Sequence, residues 1–334
     1  LLARHPRLPL LVGDTPVQAM LRLSDRLGGP CLYVKRDDLT DIGGGGSKLR
    51  KLEYLVGAAH AQGADTLIAL GALQSNHARL SAAVAVRAGM ACEILLSRRV
   101  PRTDEDYEQN GNMLLDGLFG ARVQVYAGDA DLMALAKARA DVLRGEGRRP
   151  YIIPFGGSSA LGSLGYARAA DEIARQSAQM DTPFHHVVLA NGSAGTQAGL
   201  LAGFHFIGDA PKVTAYSVLA PAATQAPLTA QLAQATLDLM QPGQTLSPAS
   251  VHVDDSQLGP GYGLPTEAMR EAVRLAASTE ALLLDPVYTG KAFAGLLHDI
   301  RTGRFRADEN VLFLATGGLP GLFAYRREFT AASA

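Results

Sequence analysis

The run Gly43-Gly44-Gly45-Gly46-Ser47-Lys48-Leu49-Arg50-Lys51-Leu52-Glu53-Tyr54-Leu55 joins a loop to a helix. Four consecutive glycines do not hold the interior of a strand or helix. They give a backbone that bends tightly and approaches other groups closely. The pattern then changes: Leu49, Leu52, Leu55, Val56 and Ala59 fall on one face at helical spacing. Lys48 therefore opens a helix, where the positive end of the dipole disfavours a cation. A lysine needed as a neutral amine gains from a lowered pKa and suits Schiff-base chemistry. A solvated lysine behind a flexible loop is the plainer and commoner reading, and this stretch alone does not separate the two.

Working outward, residues 1–30 read as a lead-in with a short helix near 17–27. Residues 31–35 follow as a strand and Arg36-Asp37-Asp38 as a polar turn. Beyond the Lys48 helix, strands are predicted at 66–70, 91–96, 122–126 and 151–153. They alternate with an alanine-rich helix closed by Gly89 and with helices at 107–118 and 131–144. Strands separated by helices at this spacing argue for a parallel sheet covered on both faces. Phe155-Gly156-Gly157-Ser158-Ser159-Ala160-Leu161-Gly162 interrupts the rhythm and is read as a domain crossing. A second series follows. Strands are predicted at 186–190, 212–218, 282–284 and 311–315, and helices at 165–180, after 195, and at 224–240, 266–278 and 289–300. The stretch 245–263 is read as irregular. Two such α/β layers put a cleft between them, the usual place for a small ligand.

The chain has 334 residues, enough for one large or two medium domains. A net charge of -1 leaves no basic footprint for nucleic acid. No run approaches the roughly 18–20 apolar residues of a membrane helix. Residues 1–6 are too short and interrupted for a signal peptide, and a trimmed start is expected because no initiator methionine is present. Cys31 and Cys92 make neither a disulfide framework nor a zinc site. Both are read as buried thiols, no metal is expected, and the setting is read as reducing and cytoplasmic.

Several further stretches carry candidate chemistry. Strand 186–190 runs into Asn191-Gly192-Ser193-Ala194-Gly195-Thr196 and then a helix, the context of an anion site: free N–H groups face the ligand and the dipole favours negative charge. Gly192 and Gly195 remove side chains that would block a phosphate, and Ser193 and Thr196 add hydroxyls. The glycines at 192, 195 and 199 miss the Rossmann fingerprint, and the loop has no P-loop lysine. Gly290-Lys291-Ala292 misses the Walker pattern too. Gln74-Ser75-Asn76-His77 stands at the carboxyl end of a predicted parallel strand, where open α/β sheets bind ligands. Ser75 reads equally well as a helix N-cap. Tyr262 and Tyr288 sit on loops rich in glycine and proline and can reach a cleft as proton donors or acceptors. Surface tyrosines in turns are the commoner case. Thr316, in Ala315-Thr316-Gly317-Gly318, offers a neutral hydroxyl to a ring nitrogen or to local backbone.

A lysine after glycines, a neutral phosphate cradle and a polar loop together suit pyridoxal phosphate. The order Lys-Arg-Asp-Asp, Gly-x-Lys-x-Arg-Lys-Leu-Glu, Gln-Ser-Asn-His, Gly-Ser-Ala-Gly-Thr-Gln-Ala-Gly-Leu, Pro-Val-Tyr-Thr-Gly-Lys and Thr-Gly-Gly resembles the D-cysteine desulfhydrase and 1-aminocyclopropane-1-carboxylate deaminase family, from Lys35 to Gly318. The resemblance implies a fold-type II pyridoxal 5'-phosphate enzyme, similar to the tryptophan synthase β-subunit. Two open parallel-sheet α/β domains would hold the cofactor in their cleft: a large domain of 1–51 plus 163–334 and a small one of 52–162. It implies Lys48 as the lysine that binds the cofactor and moves protons, with Asn76 beside the ring hydroxyl and Ser75 near the substrate carboxylate. Gly192, Ser193, Ala194, Gly195 and Thr196 would hold the phosphate, Tyr288 and Tyr262 would face the substrate, and Thr316 would lie near the pyridine nitrogen. Thr289 stands where the deaminases carry Glu, and Ser47 stands where the family usually has Asn. The expected reaction is α,β-elimination of a β-substituted amino acid, D-cysteine first. L-Cysteate, the ring-opening deamination and a non-catalytic binder are the alternatives. A homodimer is expected from the resemblance.

Overall fold

A computed structural model describes residues 2–208 and 210–330. The chain opens with β1 (Val17–Ala19), α1 (Leu21–Leu27), β2 (Cys31–Lys35) and α2 (Lys48–Ala61). The middle alternates β3 (Thr66–Ala72), α3 (Asn76–Arg87), β4 (Ala91–Ser97), α4 (Glu105–Gln109), α5 (Asn112–Leu118), β5 (Arg122–Tyr126), α6 (Leu132–Gly145) and β6 (Pro150–Ile152). After α7 (Ala160–Gln179) come β7 (His186–Asn191), α8 (Gly195–Ile207), β8 (Lys212–Ser217), α9 (Ala222–Met240) and β9 (His252–Asp254). The chain continues through α10 (Glu267–Glu280), α11 (Thr289–Arg301), β10 (Asn310–Leu314) and α12 (Leu319–Ala324). Two sheets result, one ordered β1-β2-β10-β7-β8-β9 and the other β5-β4-β3-β6. The smaller sheet is parallel throughout. The larger is parallel except at its edge, where β1 runs antiparallel to β2 with Val17 opposite Lys35.

The interior strands are buried on both faces, so they read as continuous apolar runs, such as Leu67-Ile68-Ala69-Leu70 in β3. The larger sheet has a core on each face: Met269, Phe293 and Phe313 on one side, Tyr166, Leu200 and Phe204 on the other. The smaller sheet shares its main core with α2 and α3 through Leu49, Leu52 and Leu80.

One buried ionic cluster holds α2 in place. Arg50 donates to both carboxylate oxygens of Asp37 at 2.8 Å and to Glu172 at 2.8 Å. Lys35 pairs with Glu172, and Tyr166 donates to Asp37 at 2.6 Å. These contacts tie α2 to β2 and α7, two residues from Lys48. The motif Lys-Arg-Asp-Asp therefore supplies Lys35 and Asp37 to a buried anchor, where the sequence suggested a strand end and a polar turn.

Several local expectations are corrected. Residues 17–19 form an edge strand, because Met20 N–H bonds to Leu32 O at 2.8 Å and pairing with β2 overrides the helical pattern; only 21–27 is helical. The helix expected over 107–118 breaks at Gly111, whose φ is +62° and where a Cβ would lie 2.6 Å from the Pro320 carbonyl oxygen. Gln74 fills the break, donating to the carbonyls of Tyr107 and Asn110 at 2.6 and 2.9 Å and accepting from Asn112 N–H. Residues 282–284 are not a strand, since the chain leaves α10 through a left-handed Ala281 and heads for the site. A strand, β9, forms inside the stretch expected to be irregular, and α12 was not expected at all. Cys92 is buried as expected, whereas Cys31 is exposed at the start of β2.

Candidate active site

Lys48 is the first residue of α2, and the glycine run before it is a close-packed turn. Gly45 has φ +72°, and a Cβ there would lie 2.4 Å from the Asp38 carbonyl oxygen. The loop is pinned at both ends: Gly46 N–H donates to Thr40 Oγ1 at 2.7 Å and Ser47 N–H to the Thr316 carbonyl at 2.9 Å. The Arg79 guanidinium donates to the carbonyls of Gly43 and Gly45. Lys48 Nζ reaches Ser47 Oγ at 3.3 Å. Burial lowers the Lys48 pKa to about 8, with Arg79 adding to the effect and Asp285 opposing it. About a tenth of the amine is then uncharged at pH 7, against fewer than about one in a thousand for an ordinary lysine.

Across from Lys48, α3 starts at Asn76. Ser75 is its N-cap, accepting the Ala78 N–H at 3.1 Å, and it faces the cavity as well. Asn76 Oδ1 accepts from Asn112 Nδ2 at 3.0 Å, which fixes the amide. His77 is buried. Burial, then the charges of Lys48 and Lys51, push its pKa down to about 3, so the ring is neutral.

The third wall is the turn from β7 into α8. Ala194 adopts φ +65° immediately before the helix and donates to Asn191 Oδ1 at 3.3 Å. This aims the first turn of α8 at the cavity, with the Gly195 N–H taken by Ser193 O at 2.8 Å and Ser158 Oγ at 3.2 Å. Gly192 and Gly195 also meet close protein neighbours. A Cβ on Gly192 would come 3.2 Å from the Tyr288 ring, and one on Gly195 would come 2.5 Å from Ser158 Oγ and 2.9 Å from Lys51 Nζ. The Gly195 contacts cannot stand without a shift of Ser158 or Lys51, while the Gly192 contact is tight.

Tyr288 caps α11 with its N–H on Asp285, and its phenol lies 2.5 Å from that of Tyr262. Burial raises both phenol pKa values, so both phenols keep their protons at neutral pH. Asp285 accepts N–H groups from Val287, Tyr288 and Thr289 and the Thr289 hydroxyl, at 2.7–2.9 Å. Thr289 is therefore turned onto Asp285, where a glutamate would set one carboxylate against another.

Lys48, Ser75, Asn76, Gly192, Ser193, Ala194, Gly195, Thr196, Tyr262, Tyr288 and Thr316 all line one cavity of about 380 Å³. It opens between the two sheets at the carboxyl ends of β3, β4, β7 and β10. Sequence reasoning passed over Lys51 and Asp285. Lys51 is buried, and among the described residues its ammonium meets only neutral oxygens, Ser158 Oγ at 3.0 Å and Gly156 O at 3.3 Å. Burial, then Lys48, drive its pKa well down. A buried cation without a carboxylate, set beside a helix N-terminus, fits a phosphate dianion. The helical spacing Lys48–Lys51 was the available signal, since residues three apart share a helix face. Among the described residues, no cluster of side chains suits a metal ion.

Residues 8–317 match the family of pyridoxal-phosphate dependent enzymes, and the chain belongs to that family. Its cofactor is pyridoxal phosphate, and its fold is fold-type II. Within the family it groups with the D-cysteine desulfhydrases and their deaminase relatives. It is 46% identical over 324 residues, 97% of each chain, to the D-cysteine desulfhydrases of Salmonella choleraesuis (strain SC-B67) and Salmonella paratyphi C (strain RKS4594). Among solved structures it resembles an ACC deaminase homologue with a TM-score of 0.89 and 37% identity, covering 98% of this chain and 96% of that one. A hydrogen sulfide-producing enzyme from Fusobacterium nucleatum shares the fold alone, with a TM-score of 0.63 and 15% identity over 92% of this chain and 96% of that one.

Proposed function

We propose that this protein catalyses α,β-elimination of D-cysteine, with water, to pyruvate, ammonia and hydrogen sulfide. The near-full-length identity to D-cysteine desulfhydrases carries the substrate. A lysine poised near pH 8 in one cavity with an anion-binding helix end supports the chemistry.

Pyridoxal phosphate supplies an aldehyde for the substrate amine and a ring that withdraws the electrons of the broken Cα–H bond. The chain's own groups do the rest. Gly192, Ser193, Ala194, Gly195 and Thr196 would hold the phosphate at the start of α8, with Lys51 as its counter-charge. Asn76 would lie beside the ring hydroxyl and Thr316 near the ring nitrogen. A neutral hydroxyl at Thr316 limits how far the ring stays protonated, which suits a reaction whose leaving group takes electrons. Ser75 would bind the substrate carboxylate. Lys48 would hold the cofactor, release it to the substrate, and take the proton from Cα. Tyr288, which keeps its proton at neutral pH, is the better donor, and Tyr262 shares that hydrogen bond. As the Cα–H and Cβ–S bonds break, sulfide leaves with a proton, and 2-aminoacrylate is hydrolysed to pyruvate and ammonia.

The site would lie between a large domain of 1–51 plus 163–334 and a small one of 52–162. The separate sheets support that division. The working unit would be a homodimer, on the family resemblance. Two cysteines too few for a disulfide framework favour the cytoplasm. Among the described residues, no helix is long and apolar enough to cross a membrane.

The test is the visible spectrum of the purified protein before and after D-cysteine, with pyruvate assayed alongside. A cofactor band that shifts, followed by pyruvate, supports the reading. A band that stays put while L-cysteate yields pyruvate moves the substrate to the sulfonate. Lys48→Ala is expected to lower turnover by at least about a thousandfold; near-parental turnover would remove Lys48 from its role.

A further inference from the structure

The loop 258–263 carries Tyr262, and it is held from beneath by a buried cation. Lys291 lies on α11, one turn beyond Tyr288, with no exposed surface. Its ammonium donates to the Leu258 carbonyl at 2.7 Å and the Gly261 carbonyl at 2.9 Å. Among the described residues it makes no salt bridge. Gly261 sits at φ +151°, and the other ties of the loop among the described residues are Leu258 N–H to Asp255 O at 3.0 Å, Leu264 N–H to Gly261 O at 3.2 Å, Tyr325 OH to Gly263 O at 2.7 Å, the Tyr262–Tyr288 phenol contact, and Arg99 over the Tyr262 ring. A buried ammonium without a carboxylate is costly, and burial lowers its pKa to about 8. An apolar side chain of similar volume would fill the space without that cost. Stability therefore does not explain the lysine, and its geometry does. One end of α11 presents the Tyr288 phenol, and one turn on, the same helix grips the loop that presents the Tyr262 phenol, 2.5 Å away.

We propose that Lys291 is a positioning residue that clamps loop 258–263 by two backbone carbonyls and so sets Tyr262 against Tyr288 in the active-site cavity. This rests on the reading that Tyr262 faces the substrate. The clamp acts on where the phenol stands, because both hydrogen bonds of Lys291 go to carbonyls of the loop that carries it.

A double-mutant cycle on the holoenzyme tests it, with Lys291→Met, Tyr262→Phe and the pair, followed by kcat and KM for D-cysteine, cofactor absorbance and Tm. Lys291→Met is expected to keep the cofactor band and to lower kcat/KM about tenfold. In the Tyr262→Phe background the same change is expected to cost less than about twofold. Parental kinetics for Lys291→Met beside an impaired Tyr262→Phe overturn the clamp, as do losses that multiply in the pair. Parental kinetics for Tyr262→Phe alone overturn the Tyr262 role and the clamp's purpose with it. If Lys291→Met fails to fold, Lys291→Leu, which also removes the donor, completes the same cycle, and Lys291→Gln, which keeps one donor, is expected to lose less activity than the variant without one. Amide exchange across 258–264 reads the clamp without any turnover, so a failed substrate assignment does not touch it. Faster exchange by about tenfold in the variant is expected, and unchanged exchange overturns the proposal.

Discussion

Lys48 is tuned by burial and Arg79 on one side and Asp285 on the other, and removing Asp285 shows the rest. Burial pushes its ammonium down to about 8, while the Asp285 carboxylate holds it from falling further. Asp285→Asn keeps the shape and removes the charge. The midpoint of the pH dependence of cofactor uptake by the apoprotein is therefore expected to move to lower pH. The same change weakens the cap of α11, which rests on four donors to Asp285, and is expected to cost about 1–2 kcal/mol in denaturant unfolding. Lys51 is the companion case. Lys51→Ala is expected to weaken cofactor retention about 10- to 100-fold on dialysis, the range of one charge-assisted hydrogen bond. Both residues were in plain view in the sequence. Neither stands out there, because neither burial nor the absence of a counter-charge can be seen without neighbours from distant segments.

The element that most constrains the site is the glycine turn before α2. A methyl group on Gly45 would face both an unfavourable φ and the carbonyl oxygens of Asp38 and Thr40 at 2.4 and 2.5 Å. Gly45→Ala is expected to lose about 2–4 kcal/mol of stability, with turnover falling in step because Lys48 follows directly. Retained stability and activity in that variant would mean that the turn can rearrange freely. At this scale the sequence served well wherever an element carried its own period. The strand at 31–35 and the Lys48 helix are of this kind. It served poorly where a partner decided the outcome. Val17-Gln18-Ala19 became extended to pair with β2, and the helix over 107–118 was split by the Gln74 side chain, 36 residues before Asn110. The tight packing behind Gly192 and Gly195 was likewise out of reach, since Tyr288, Ser158 and Lys51 come from three separate stretches.

For the whole molecule, the Asp37–Arg50–Glu172–Lys35 cluster couples folding to acidity. Burial raises the Asp37 pKa, but the charge and hydrogen bonds of Arg50 and the charge of Lys35 outweigh it and hold the carboxyl below its ordinary 3.8. A carboxyl depressed in the folded state adds stability above its unfolded pKa and loses it as pH falls through the folded one. Unfolding free energy is therefore expected to drop below about pH 4, and this drop should shrink in Asp37→Asn even though that variant is less stable at neutral pH. An equal acid slope in the two proteins would take the cluster out of the account. The two-layer plan was legible from strand and helix alternation, and the residues of the cavity from motifs. The mixed edge of the large sheet was not, because a three-residue strand has almost no period to read.

Helices α2, α3 and α8 all begin at the cavity wall, at Lys48, Asn76 and Gly195, whereas the start of α11 is occupied by Asp285. Each of the three contributes roughly half a positive charge at its start, inside a chain whose net charge is only -1. The cofactor-free protein is thus expected to attract small oxyanions. Inorganic phosphate or sulfate in a storage buffer would occupy the place meant for the cofactor and slow its loading, whereas a zwitterionic buffer would leave the well open.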